Sequence, residues 1–407
     1  MHVVSDRVCG MDVHKKSITA CLLLFDQKEI RTFGTMTDDL LALSDWIRMN
    51  GCTHVAMEST GIYWKPIYNL LELEASLSVY VVNAQHIKQV PGRKTDVKDA
   101  EWIAELLKHG LLKPSFIPNR EQRELRELVR YRRSLIDERA REANRIQKVL
   151  EGANIKLGSV ATNVLGVSGR LILQGLISGN TNAKTLAQHS KGSLRKKIHL
   201  LERSLYGLVG PHQRKMLKTQ LDHIEFLEKQ IEDLTQEIDT RMAPFEEDLV
   251  LLDSIPGIGR VTAQHLLAEI GPDMGRFGGA DRLTSWAGMA PGQNESAGKK
   301  RNTRTRDGNK YLRSALVEAA TSATRKKDTY LYAKYQRLKI RRGAKKARVA
   351  IARTLLVIMY HLLTKKEMYK ERGAVQYNQQ ALEAKKQKAI KSLQRLGFVV
   401  DISPQSA

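Results

Sequence analysis

Four carboxylates stand out for what they could do together: Asp12, Glu58, Asp96 and Asp99. Asp12 follows the apolar end of a strand-like run in Cys9-Gly10-Met11-Asp12-Val13-His14, and Glu58 ends the run Val55-Ala56-Met57, just before Ser59-Thr60-Gly61. Asp96 and Asp99 lie three apart at the start of a helical pattern, which puts both on one face. Hard carboxylate oxygens gathered at strand ends beside one helix face suit magnesium or manganese. Two such ions a few ångströms apart stabilise both the attacking and the leaving oxygen in phosphodiester chemistry. Singly, each acid has a plainer explanation: Asp96 as a helix cap, Asp99 as a first-turn acid, Glu58 as an exposed strand end. The four in this element context favour chemistry. His14 could approach the same metals, although a structural role is the plainer reading.

A second feature is Ser254-Ile255-Pro256-Gly257-Ile258-Gly259-Arg260. An apolar-Pro-Gly-apolar-Gly turn between two helices has the form of a helix-hairpin-helix, with Gly257, Gly259 and Arg260 as the DNA-facing candidates. Its backbone N–H groups and the start of the next helix could hold a DNA phosphate. The alternative is a packing hairpin without DNA. A third feature is Ser296, in the loop Asn294-Glu295-Ser296-Ala297-Gly298, followed by Lys299, Lys300, Arg301, Arg304, Arg306, Lys310 and Arg313. A serine hydroxyl is a weak nucleophile until a metal, a base or a strong positive field activates it. From this chain alone, Ser296 is a loop serine in cationic surroundings.

The elements that must position these groups read as follows. Strand-like runs at Val3–Cys9 and Thr19–Phe25, with a third around Thr32–Thr37, are followed by a helix from a cap at Asp38 to Met49. A short strand Thr53–Met57, a helix Ile62–Leu73 and a strand Leu77–Asn83 come next. A loop with Pro91-Gly92 then enters a helix from Thr95 to Lys108. Clustered strands and then alternation imply a mixed sheet flanked by helices. Residues 119–150 carry ten Lys/Arg and six acids on a long helical pattern, and a second long helix has Ile224, Leu227, Ile231, Leu234 and Ile238 at four-three spacing. With the helical insert of about 155–215 between them, they predict either a dimerising coiled-coil arm or an antiparallel pair within one subunit. The chain is compact and helical again from Leu249, and ends in a lysine-rich helix over about Ala381–Leu396.

Composition narrows the partners. The net charge is +23, and residues 299–348 hold eighteen Lys/Arg against three acids. Surface charge usually mixes its signs, so this surplus favours nucleic acid, whose phosphates exchange counterions for Lys and Arg. Tyr311, Tyr330, Tyr332 and Tyr335 could stack on bases there, with packing the plainer reading. Cys9, Cys21 and Cys52 fit neither a disulfide framework nor a zinc site, which points to a reducing cytoplasm. There is no secretory pattern at the N-terminus, no run of eighteen apolar residues and no Walker motif, so we expect neither a membrane span nor ATP use.

Together these residues resemble the DEDD transposases of the insertion-sequence family numbered one hundred and ten, the bridge RNA-guided recombinases. The resemblance is carried by Met11-Asp12-Val13-His14-Lys15, Met57-Glu58-Ser59-Thr60-Gly61 and Arg93-Lys94-Thr95-Asp96-Val97-Lys98-Asp99-Ala100. It continues through Trp286-Ala287-Gly288, Asn294-Glu295-Ser296-Ala297-Gly298 and Gly308-Asn309-x-x-Leu312-Arg313. Where many members have Ser-Gly, this chain has Ser296-Ala297-Gly298, a subgroup variant. The resemblance implies an α/β N-terminal domain over 1–118 with a ribonuclease H-like (RuvC-like) fold, binding magnesium through Asp12, Glu58, Asp96 and Asp99. It implies a helical coiled-coil arm over 119–245 and a mainly helical transposase domain over 246–363, with a basic helical tail over 364–407. Ser296 would attack DNA and hold it as a phosphoserine. A non-coding guide RNA from the element would choose donor and target DNA. The protein would work as a homo-oligomer, dimer or tetramer, with one subunit's serine completing another's carboxylate site, in the bacterial cytoplasm at the nucleoid. Two rivals remain: a junction nuclease that uses water in place of serine, and a nucleic-acid holder without chemistry.

Overall fold

The apolar runs near the start of the chain form an antiparallel meander, β1 (Arg7–Val13), β2 (Ile18–Leu24) and β3 (Gln27–Phe33). The computed structural model describes residues 5–25, 27–59, 61–83, 96–290, 294–296, 299–302, 305, 308–371 and 373–400, with the backbone alone at 96–98, 294–296, 299–302, 380, 381, 384 and 385. They fall into two units, Met1–Arg120 and Glu121–Ala407.

In the first unit, helix α1 (Thr37–Met49) leads to β4 (His54–Glu58), α2 (Trp64–Leu71), β5 (Ser78–Val82) and α3 (Asp96–Lys108). The sheet order is β3-β2-β1-β4-β5: β1 pairs antiparallel with β2 and parallel with β4, and β4 pairs parallel with β5. Strand alternation sorts the central residues onto two faces. Cys9, Met11 and Val13, with Val55 and Met57, pack against Leu43 and Ile47 of α1 and Ile67 and Leu71 of α2. Val8 and Ala56 pack on the other face, against Ala100, Ile103, Ala104 and Leu107 of α3. Each fully buried leucine or isoleucine here contributes roughly 1.5–3 kcal/mol.

Three expectations shift. The third strand lies at Gln27–Phe33, not Thr32–Thr37; as an edge strand it keeps a polar sequence, with Arg31 paired to Glu29 at 2.6 Å. The N-cap of α1 is Met36, whose N–H donates to the carboxylate of Asp39 at 3.2 Å, and Asp38 and Asp39 are both first-turn acids. Strand β1 begins at Arg7 and runs through Asp12, so that aspartate lies inside the strand.

In the second unit, α4 (Arg120–Gly152) and α9 (Pro211–Met242) bracket the short helices α5 (Leu157–Val160), α6 (Val167–Ile177), α7 (Ala183–Ala187) and α8 (Ile198–Ser204). Then follow α10 (Glu246–Asp253), α11 (Arg260–Ile270), α12 (Ala280–Trp286), the hairpin β6 (Asn294–Ser296) and β7 (Lys299–Asn302), α13 (Lys310–Ala323), α14 (Tyr330–Arg342), α15 (Ala344–Lys365) and α16 (Ala374–Arg395). Helices α4 and α9 run antiparallel within the one chain. Glu124 meets Arg241 at 3.3 Å, Arg132 meets Thr235 at 3.4 Å, and Arg139 meets Glu228 at 2.6 Å. A core closes each end of this pair: Ile146, Leu150, Leu217 and Ile224 join the short helices, while Leu125, Val129, Ile238 and Met242 join α10–α15.

Among the described residues, α15 is the one helix whose length and composition would let it cross a bilayer, which the count of consecutive apolar residues had not shown. Its Ala347, Ile351, Ala352, Leu355, Leu356, Met359 and Leu363 sit in the core of α10–α15, so it is a core helix of this unit.

Candidate active site

Because β1 and β4 are parallel and in register at Met11 and Met57, the next residues, Asp12 and Glu58, are neighbours at their C-terminal ends. Both follow the alternation of Val8, Gly10 and Ala56, the positions that meet α3. On α3, Asp99 lies one residue before the buried Ala100 and four before the buried Ile103, at the end of the helix nearest these carboxylates. Burial pushes the Asp12 carboxyl above its ordinary 3.8; His14 opposes this through charge and a hydrogen bond, and Asp99 and Glu58 push it further up. Three acids therefore share one electrostatic field. His14 Nε2 lies 2.9 Å from Asp12 Oδ2. The side chain of Asp96 lies outside the described residues. Among the described residues no three His, Cys, Asp or Glu side chains group closely enough to hold an ion by themselves. The donor chemistry still fits a divalent cation: carboxylates repelling one another at a half-buried strand end are relieved by positive charge.

Gly10 was not singled out from sequence, yet it sets this geometry. A Cβ there would lie 2.3 Å from both Ala100 O and Ala104 N, so glycine alone lets α3 rest directly on β1. Its signal was present: a glycine inside a strand marks close backbone approach.

The glycine turn joins α10 to α11 as a helical hairpin. Gly257 has φ +89, and a Cβ on it would meet Ala323 N at 2.5 Å and Ala319 O at 2.6 Å, on α13. Gly259 precedes α11, whose first amides have no intrahelical acceptor. Arg260 is held by Glu246 at 2.6 and 2.8 Å and faces Asp239 at 3.4 Å, and these partners push its pKa further up.

Ser296 ends β6, opposite Lys299 across the hairpin, and Glu295 stands opposite Lys300. The side chains of Ser296, Lys299, Lys300 and Arg301, and the whole of Arg304 and Arg306, lie outside the described residues. Lys310 is exposed in the first turn of α13 and Arg313 is half-buried. Of the tyrosines, Tyr335 is core, Tyr330 stacks edge-on against Tyr377, and Tyr311 lies under the Arg130 guanidinium, 4.1 Å from its ring centre. The three cysteines are buried and free, and burial pushes Cys21 and Cys52 up to about 11.

Residues 9–155 match the model of the DEDD transposase family IS110, and residues 250–336 match the transposase IS116/IS110/IS902 family. The chain is 25% identical over 377 residues to the transposase for insertion sequence element IS1111A of Coxiella burnetii, covering 89% of this chain and 91% of that one. It is 25% identical over 389 residues to the pilin gene-inverting protein of Moraxella bovis, covering 91% and 99%. Glu58 and Asp99 fall in the first match and the glycine turn and Ser296 in the second, so both regions that drew attention for chemistry lie inside family models. The chain belongs to the IS110 family of transposases and is a DNA transposase or recombinase.

Proposed function

We propose that the protein moves an insertion sequence by exchanging strands of donor and target DNA through a covalent phosphoserine at Ser296, beside a metal site of Asp12, Glu58, Asp96 and Asp99. One arrangement carries the reading: the parallel neighbours β1 and β4 carry Asp12 and Glu58 side by side near their C-terminal ends, and α3 adds Asp99 to their field. The order β3-β2-β1-β4-β5, three strands antiparallel and two added in parallel, supports a ribonuclease H-like fold for residues 1–118. Segments 119–245, 246–363 and 364–407 serve as arm, transposase domain and basic tail.

When bound, magnesium or manganese supplies positive charge to the phosphate and lowers the cost of ionising the serine. The four carboxylates hold and orient that charge. Ser296 loses its hydroxyl proton and its Oγ forms an ester to phosphorus as the P–O bond to the departing strand breaks. That strand leaves as a free hydroxyl. A hydroxyl of the incoming strand then attacks the phosphoserine, the Oγ–P bond breaks, and Ser296 regains its proton. Ester bonds are conserved throughout, in keeping with a chain that carries no Walker motif. Gly257 and Gly259 offer backbone N–H groups to a phosphate, and Arg260 reaches DNA by exchanging Glu246 for it. Lys299, Lys300, Arg301, Arg304, Arg306, Lys310 and Arg313 neutralise nucleic-acid backbone. A non-coding RNA from the element selects both DNA sites, and a dimer or tetramer brings one subunit's serine to another's carboxylates.

A strand-joining assay with element-end DNA, target DNA, the flanking RNA and magnesium tests this. Asp12→Asn, Glu58→Gln and Asp99→Asn should each slow joining roughly a hundred-fold or more, and omitting the RNA should abolish it. Cleavage that survives Ser296→Ala would make the protein a hydrolytic nuclease, and DNA binding without any metal-dependent product would make it a holder without chemistry.

A further inference from the structure

The backbones of Gly288 and Gly308 touch, and Met289, the residue after Gly288, still packs in the core. A Cβ on Gly308 would lie 2.4 Å from Gly288 N and 2.6 Å from Ala287 C. The described hairpin carrying Ser296 thus lies between two touching points of the backbone, which form the base of an excursion. Beside the pinch, Asn309 makes two kinds of contact. Its Oδ1 caps α13 by accepting the N–H groups of Tyr311 and Leu312 at 3.1 Å, and its Nδ2 donates to Glu269 Oε2 at 2.6 Å.

Glu269 is unusual in its own right. It lies fully buried in the last turn of α11, within the apolar run Leu266-Leu267-Ala268-Glu269-Ile270. A buried carboxylate needs compensation. Arg130 of α4 provides it as a two-toothed fork, at 2.6 and 2.7 Å, and stacks on Tyr311 at the same time. Arg126 donates to the carbonyls of Ala268, at 3.0 Å, and Glu269. Helix packing would be satisfied by leucine at this site. The polar cluster adds direction: it fixes one rotamer of Asn309 and hence the point where the excursion re-enters the core.

We infer that Glu269 and Asn309 are positioning residues for the Ser296 hairpin, and that Arg130 ties that hairpin's base to the arm helix α4. A static core contact would set only stability. This tie sets where the nucleophile stands, and it passes any shift of the arm to the serine segment through three hydrogen bonds.

The catalytic part of this inference rests on Ser296 as nucleophile, so the experiment has a readout that does not. In the full-length protein, Asn309→Asp keeps a good helix cap but turns a second carboxylate toward Glu269. We expect the hairpin amides of 294–302 to exchange hydrogen roughly ten-fold faster or more. Strand joining should fall roughly a hundred-fold, the scale of an ångström's misplacement, with DNA affinity near wild type. The double variant Asn309→Asp with Glu269→Gln moves the single carboxylate across the contact and reverses the hydrogen bond, and it should exchange more slowly and join faster than Asn309→Asp alone. Wild-type exchange in Asn309→Asp, or a double variant as impaired as the single one, would overturn the proposal. If the wild type joins DNA without a serine ester, the nucleophile assignment falls, and the exchange comparison still decides the tie in the same two ways.

Discussion

Asp12 bears the cost of the site at the scale of single residues. Its carboxyl is raised because burial and two neighbouring carboxylates disfavour its charge. The metal-free fold therefore loses stability from this group as pH rises from the ordinary 3.8 through its raised value. Asp12→Asn should then raise the metal-free Tm at pH 7 by about one to two degrees, while removing the gain in Tm that we expect magnesium to give the wild type. A calorimetric scan showing a lower metal-free Tm would contradict this. Glu269 has the opposite sign. Its pair with Arg130 and its bond from Asn309 outweigh burial and hold it below the ordinary 4.5, so its contribution is present above that value and lost as pH falls through the lowered one. Glu269→Gln should cost about 3 kcal/mol at pH 7 by taking the carboxylate from the half-buried Arg130 and the buried Arg126, and acid-unfolding curves of the two proteins should converge below that range. That Asp12, Glu58 and Asp99 lie near one another was legible in the sequence because strand ends and helix spacing are local. Glu269 was not: its partner Arg130 stands 139 residues away, and a lone acid among leucines has no local signal.

Between elements, the decisive contact is β1 against α3. Gly10→Ala would force α3 off the strand, since its new methyl would meet backbone atoms at 2.3 Å that no rotamer change can move. We expect a loss of about 2–4 kcal/mol and weakened magnesium binding by titration, because Asp99 moves away with α3. Tight binding in that variant would separate the helix from the metal site. The type and order of β1, β2, β4, β5, α1, α2 and α3 could be read from periodicity, which reports what faces a core. Their ends could not. β1 was placed too early because Met11 and Val13 follow Gly10, and a glycine reads as a stop although here it marks a close approach. β3 was placed too late because Gln27–Phe33, at the sheet's edge, needs little apolar surface. The four-three spacing of α9 left its partner open, and the ion pairs along α4 show that a partner lies in the same chain.

For the whole molecule, charge governs encounter and chemistry governs outcome. With a net +23, and eighteen cations against three acids over 299–348, DNA affinity should fall steeply as salt rises. Replacing Lys299, Lys300 and Arg301 together with glutamine should flatten the log–log salt slope by about two to three; an unchanged slope would move the phosphate contacts elsewhere. Neither charge nor fold identifies the nucleophile, because tight binding and metal dependence are shared with enzymes that use water. The most direct measurement incubates the protein with its element's RNA, labelled donor and target DNA and magnesium. The mixture is then denatured, and the protein is digested to find the peptide that carries DNA. The account predicts label joined to Ser296 in the wild type, and no adduct in Ser296→Ala or Asp12→Asn. DNA cut with no label on the protein, at undiminished rate in Ser296→Ala, would contradict it.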